Sequence, residues 1–463
     1  MLFSSVTFIY IFIPAILIAY FITPKKFRNH ILLVFSLLFY FSGEPKYSIL
    51  LILSSVSDYL HSLYIEKHRD TKNAKVALVS SIIINLLMLG IFKYSDFVII
   101  TINEIFGLSI PLTNLPLPIG ISFFTFQTMS YTIDVYRGDV HAEKNIFSFS
   151  TFVCLFPQLI AGPIVRYSDI ANELHDRKIT IKDFSDGISR FVIGLSKKVL
   201  IANVLGELCI IFRENNEKSV LFYWMYAFAF SFQIYFDFSG YSDMAIGLGH
   251  MFGFSFPENF NYPYISTSIT DFWRRWHMTL SGWFRDYVYI PLGGNRVSKF
   301  RWLFNILIVW FLTGLWHGAS WNFVIWGVMY GVLLVFEKLF MGKFLKKAGS
   351  FAGHIYVSLI TLIGFVIFNA GTTSEIFTDL GGMFGFLQIP FLNSITLYYL
   401  KSYLLIFAVA FLASTPIMKK LFERVSSKKI MLVLQPLTIG ILLIIVTGYL
   451  VDGSFNPFLY FRF

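Results

Sequence analysis

Apolar residues in this chain come in long blocks, at residues 3–22, 47–65, 302–316, 321–336, 351–370, 399–414 and 430–450 among others. About 15 to 25 residues is the helical length that crosses a hydrocarbon layer ~30 Å thick. In lipid a backbone must satisfy its own polar groups, so such blocks fold as helices. Hydrophobic residues make up 56% of the 463 and charged residues only 14%, more apolar surface than a soluble interior can hide. The sequence therefore predicts an all-α, polytopic membrane helix bundle. A disordered chain, a collagen-like repeat and a disulfide-built secreted module are excluded.

The net charge of +10 fits basic loops on the cytoplasmic side of a membrane protein, and it needs no nucleic-acid partner. Pro24-Lys25-Lys26-Phe27-Arg28 follows the first block and places that loop inside. Residues 67–75 are basic again after two crossings. In the C-terminal half, residues 296–301, 337–347 and 419–429 are basic, and the apolar blocks between them alternate accordingly. Both termini are thus expected outside, with about 11 to 13 membrane segments, some broken or re-entrant. The first block has no basic residue before it and no cleavage site after it, so it is read as a retained helix. Residues 1–450 are read as a single transmembrane domain and 451–463 as an external aromatic tail. Between residues 111 and 290, Pro and Gly interrupt the apolar runs. Broken helices at membrane depth survive when buried in protein or lining a cavity, so this region points to a pathway inside the bundle.

Ionisable groups at membrane depth are the first candidates for chemistry, because each is costly there unless paired or hydrated. His317 lies in Thr313-Gly314-Leu315-Trp316-His317-Gly318, 15 residues past Trp302, or about 22 Å of helix. That block is read as too short to cross, which puts His317 at the apex of a hairpin inside the protein. A neutral imidazole there can take a proton from a hydroxyl or thiol; the alternative is a hydrogen-bonded structural histidine. A second cluster runs from Asp271 to Tyr287, with Arg274, Arg275 and Arg285 interleaved with Trp273, Trp276 and His277. It reads either as an interfacial helix anchored by tryptophans or as a pocket whose arginines hold a phosphorylated donor near His277. Asp237, after a long apolar run, needs a partner and is read as part of a structural ion pair. Cys154 and Cys209 sit in apolar stretches and read as packing residues. No phosphate-binding Gly-rich loop, nucleophile elbow or His-Glu-x-x-His helix is present, so no metal is called for.

Several ordered motifs together resemble a known family. They are Leu117-Pro118-Ile119-Gly120-Ile121-Ser122-Phe123-Phe124-Thr125-Phe126-Gln127, Asp134-Val135-Tyr136-Arg137-Gly138, and the stretches at residues 156–166, 271–294 and 314–326. The chain resembles the membrane-bound O-acyltransferase superfamily, most closely its AlgI-like branch of bacterial alginate and surface-polysaccharide O-acetylation. The resemblance implies a helix bundle around a tunnel that joins a cytoplasmic donor site to an external funnel. It implies that His317 is the catalytic histidine, His277 a second one, and Tyr460 in the terminal Phe455–Phe463 motif an acyl relay. The donor implied is acetyl-CoA, used as a substrate with no bound cofactor. The acceptor is an extracytoplasmic polysaccharide, reached through a separate extracytoplasmic or membrane-anchored transferase. The location implied is the bacterial cytoplasmic membrane. D-alanyl transfer to teichoic acid from a carrier-protein thioester is the enzymatic alternative. A transporter or flippase, and a scaffold subunit of an acetylation complex, are alternatives from other classes.

Overall fold

A computed structural model describes residues 2–426 and 429–452. Its regular elements are all helical, with no β-strand among the described residues. Among the described residues, six helices are long and apolar enough to cross a membrane: Ser48–Lys67, Lys72–Phe106, Lys299–His317, Trp321–Asn369, Ser394–Ala413 and Met431–Val451. The protein is thus an all-α multi-pass membrane protein. The shorter Phe8–Ile22 is apolar as well. Several long helices carry large exposed side chains, such as Leu432 at 80% and Ile444 at 73% exposure. Water would penalise such a surface, whereas lipid matches it.

Two of these helices are continuous only by hydrogen bonding. Lys72–Phe106 passes through a π-helical turn at Gly90–Tyr94. Trp321–Asn369 passes through another at Glu337–Met341 and then breaks at Gly349, whose φ of 86° is left-handed. Glycine tolerates that conformation because it lacks a Cβ. The basic stretch 337–347 thus ends in a real change of chain direction.

The described residues form two compact units. The first comprises residues 2–191 and 241–257. Its helices Ser48–Lys67, Lys72–Leu89 and Ile121–Arg137 surround a buried carboxylate, Asp58, which accepts hydrogen bonds from Ser81 Oγ (2.6 Å) and Asn85 Nδ2 (2.8 Å). Hydrogen-bonding both oxygens offsets the cost of burying the charge away from water. Phe3, Phe8, Phe12, Phe39 and Phe156 pack as one aromatic cluster in the same unit.

The second unit comprises, among the described residues, 192–240, 258–426 and 429–452 and holds His277, His317, Arg274, Arg275, Arg285 and Asp237. Here the hairpin of Lys299–His317 and Trp321–Phe336 is very close-packed. A Cβ on Gly327 would stand 2.4 Å from the Trp310 carbonyl oxygen and 3.0 Å from Gly314 Cα. Small residues let membrane helices approach this way. The first of the pair begins at Lys299, with Ser298 Oγ accepting the Arg301 N–H. Its 19 residues span about 28 Å. The apolar block alone looked too short to cross because its first turn is built from charged residues.

Candidate active site

The tryptophan-arginine cluster does not form one interfacial helix. It folds as two seven-residue helices, Ile269–Arg275 and Met278–Phe284, separated by a break at Trp276 and His277. The tryptophans point inward: Trp273 and Trp276 are buried. Trp273 packs edge-on against Trp310 (4.9 Å between ring centroids), Trp326 (5.4 Å) and Tyr330 (4.8 Å). Edge-to-face packing of this kind suits the aromatic quadrupole. Burial of the tryptophans is what turns an apparent surface anchor into a wall.

That wall encloses a cavity of about 1270 Å³, lined by Trp273, Arg274, His277, Arg285, Trp302, Trp310, Thr313, His317, Glu337, Lys338 and Lys346, among others. Its volume exceeds the ~300–1,000 Å³ of a typical small-molecule pocket. His277 and His317, 40 positions apart in the chain, line the same space.

His317 is the last residue of Lys299–His317 and is 5% exposed. Its ring is held edge-on by Trp316 (5.0 Å), Trp326 (5.1 Å) and Phe368 (5.3 Å). Asn322 donates from Nδ2 to the Phe368 carbonyl at 2.8 Å and hydrogen-bonds Ser320. The turn after His317 is thereby fastened to the helix that carries one of its aromatic neighbours. His277 is 2% exposed, with its Nδ1 3.0 Å from Asn259 Oδ1 and its ring 4.7 Å from Phe238 and 5.7 Å from Trp316. Burial, assisted by the nearby His317, pushes the His277 imidazole well below its ordinary pKa, because a charged ring is disfavoured away from water.

The cavity carries positive charge. Arg274, Arg285, Lys338 and Lys346 line it. Lys338 Nζ lies 4.5 Å from the centroid of the Trp302 ring, a cation–π distance. Arg285 is paired with its neighbour Asp286 at 2.6 Å, which pushes its guanidinium still further up. The buried carboxylate in the wall, Glu337, is already committed. It accepts the N–H groups of Ile269 (2.6 Å) and Thr270 (3.0 Å) and the Thr270 hydroxyl (2.5 Å). It thus satisfies donors at the start of Ile269–Arg275, where helices leave N–H groups unpaired.

Other sequence candidates lie elsewhere. Arg275 does not line the cavity; its guanidinium pairs with Asp271 at 3.0 Å and donates to the Asn261 carbonyl. Asp237 pairs with Lys198 at 2.7 Å with both side chains buried, and Lys198 also donates to Asn203. Tyr460 lies outside the described residues. Cys154 and Cys209 are buried free thiols. Among the described residues no group of three His, Cys, Asp or Glu is placed to hold a metal ion. Sequence reading missed Lys338, Lys346, Glu337 and Asn259. The basic character of residues 337–347 was visible, but only the fold shows that two of its lysines turn into the cavity.

The profile of the membrane-bound O-acyltransferase family matches residues 120–368, more than half of the chain and inclusive of both histidines. The chain is 42% identical over 394 residues to the probable alginate O-acetylase AlgI of Pseudomonas aeruginosa, covering 83% of this chain and 75% of that protein. It is 35% identical over 438 residues to the peptidoglycan O-acetyltransferase of Helicobacter pylori, covering 87% and 82%. It is 29% identical over 280 residues to the teichoic acid D-alanyltransferase of Bacillus subtilis, covering 56% and 70%. With its helical membrane architecture, the chain belongs to the membrane-bound O-acyltransferase family and is a multi-pass O-acyltransferase.

Proposed function

We propose that this protein takes acetyl groups from acetyl-CoA on the cytoplasmic side of a bacterial cytoplasmic membrane and delivers them for O-acetylation of an extracytoplasmic polysaccharide. The observation that carries the proposal is the shared cavity: two buried imidazoles on its wall and four cationic side chains around it. Arg274, Arg285, Lys338 and Lys346 suit the phosphates of a coenzyme. Trp302 and Trp310 offer apolar faces to the rest of the donor. The similarity to an alginate O-acetylase and a peptidoglycan O-acetyltransferase supports an acetyl group and a polysaccharide destination.

The chemistry follows from the side chains available. His317 takes the proton of an attacking hydroxyl, from Tyr460 or from the acceptor itself. The oxygen bonds to the thioester carbonyl carbon, and the tetrahedral intermediate collapses with cleavage of the carbon–sulfur bond. The imidazolium returns its proton to the departing thiolate, leaving an acetyl ester and free coenzyme A. The aromatic walls keep water from the thioester and limit wasteful hydrolysis. A separate extracytoplasmic transferase then receives the acetyl group.

The B. subtilis relative favours a second reading, in which the donor is a D-alanyl thioester on a carrier protein. Purified protein in nanodiscs, offered radiolabelled acetyl-CoA or radiolabelled D-alanyl carrier protein in parallel, separates the two. The proposal expects free coenzyme A and transferable label only from acetyl-CoA, with Tyr460→Phe abolishing any base-labile label on the protein itself. Label from the carrier protein alone would overturn it.

A further inference from the structure

We propose that Asn259 is the positioning residue of this site: its side-chain oxygen fixes His277 as the Nδ1–H tautomer, so that the ring brings an acceptor nitrogen, Nε2, to the cavity. The inference builds on the acyltransferase reading above, but its geometric core stands by itself.

Asn259 is fully buried. Its Oδ1 lies 3.3 Å from the Thr279 backbone nitrogen, 2.9 Å from Thr279 Oγ1 and 3.0 Å from His277 Nδ1. A backbone N–H can only donate, so the amide atom that faces Thr279 has to be the oxygen. Turning the amide over would set two donors against each other. The orientation of Asn259, usually ambiguous, is therefore decided by a neighbour that has no choice. The same oxygen then requires a hydrogen on His277 Nδ1. A neutral imidazole carries one N–H, so Nε2 is left with the lone pair.

The surrounding backbone holds this arrangement in register. The Asn259 carbonyl accepts the Met278 N–H at 2.9 Å, the Asn261 N–H donates to the Arg275 carbonyl at 2.9 Å, and Arg275 returns a bond to the Asn261 carbonyl at 3.3 Å. The stretch at residues 259–261 is thus tied by hydrogen bonds to the break between the two short helices. His277 itself adopts φ 44°, ψ 54°, a left-handed conformation that side chains with a Cβ resist. Such a conformation persists where contacts over-determine it, and it is found at functional sites more than elsewhere.

The environment makes the tautomer matter. Phe238 stands edge-on to the His277 ring and Trp316 lies beside it; both are neutral. The titratable group that faces it is His317. Arg274 and Arg285 line the same cavity, while Asp237, next to Phe238, is engaged by Lys198. Burial and these neighbours keep the ring neutral, so a single proton decides whether it donates or accepts. Asn259 does not line the cavity and takes Nδ1; His277 does line it. What the ring offers there is an acceptor for the hydrogen of a hydroxyl or thiol.

The direct test is the ¹⁵N NMR spectrum of histidine-labelled full-length protein in nanodiscs, with His277→Gln supplying the assignment. At neutral pH the proposal expects a pyrrole-type Nδ1 and a pyridine-type Nε2 for His277. Asn259→Asp keeps the shape but adds a negative charge, and it is expected to convert the ring to imidazolium at neutral pH. The acid limb of acetyl-CoA consumption should then move up by about one pH unit or more, with kcat lowered about tenfold or more and KM changed little. A merely structural role for Asn259 would lower stability and leave the limb where it is. A wild-type His277 protonated on Nε2, or an Asn259→Asp protein with the wild-type limb, would overturn the proposal. If wild type consumes no acetyl-CoA, the donor reading fails, and the spectrum still decides the tautomer.

Discussion

His277 shows how many constraints meet at a single buried position. Its folded pKa is depressed by burial and by His317, and the linkage to stability has a definite sign. As pH falls, the unfolded chain takes up the proton near its ordinary value of 6.5, the folded chain only well below it. Stability from this group is complete above that value and is lost as pH drops, by at most about 1.4 kcal/mol per pH unit. Thermal unfolding in nanodiscs between pH 7 and 5 should therefore steepen in wild type and flatten in His277→Gln. Equal pH slopes in the two proteins would contradict this. Part of the residue scale was legible beforehand: His317 stands out as an imidazole between glycines at membrane depth, and His277 as one set among tryptophans and arginines. Asn259 was not legible, since it acts on His277 from 18 positions away and nothing in the local pattern couples them.

At the scale of elements, the hairpin that ends in His317 depends on two bare backbones meeting. Gly327→Ala would push a methyl carbon against the Trp310 carbonyl, where neither partner is a flexible side-chain end. A loss of about 1–3 kcal/mol is expected, read as a lower unfolding temperature, whereas Gly440→Ala, with nothing within 4 Å of its added Cβ, should lose nothing. Equal stability of the two variants would show that the helices separate without cost. The long apolar helices were legible because lipid enforces length and composition together. The middle of the chain was not. Helices of seven residues such as Ile269–Arg275 and Met278–Phe284 show too few turns for a periodic signal. Their break is set by pairing with residues 259–261, a tertiary cause. The tryptophans there looked like interfacial anchors because sequence shows their spacing and not which side is covered.

For the whole molecule, the organising feature is a basic cavity in a chain that is 56% hydrophobic. Arg274, Arg285, Lys338 and Lys346 line the cavity as exposed side chains, so salt screens their attraction for a charged donor. Lys338→Gln and Lys346→Gln together should raise KM for acetyl-CoA about tenfold or more at low ionic strength, with kcat nearly unchanged, and the gap to wild type should narrow as salt is added. An unchanged KM in steady-state assays would remove the lysines from donor binding. The overall class was legible from block length alone, and the positive loops were visible as well. That the basic segment 337–347 is helical and lends two lysines to the cavity was not, because the charge rule reports a side of the membrane and carries no information on packing.

The central claim is that His317 performs the acyl-transfer chemistry, and single-turnover consumption of acetyl-CoA by purified protein in nanodiscs tests it most directly. Wild type is compared with His317→Gln at matched donor occupancy, with acceptor and partner transferase supplied. The account predicts that the rate of coenzyme A release falls by about 10²- to 10⁴-fold, as loss of a general base does, while donor affinity and unfolding temperature stay close to wild type. A His317→Gln protein that releases coenzyme A at the wild-type rate would contradict it.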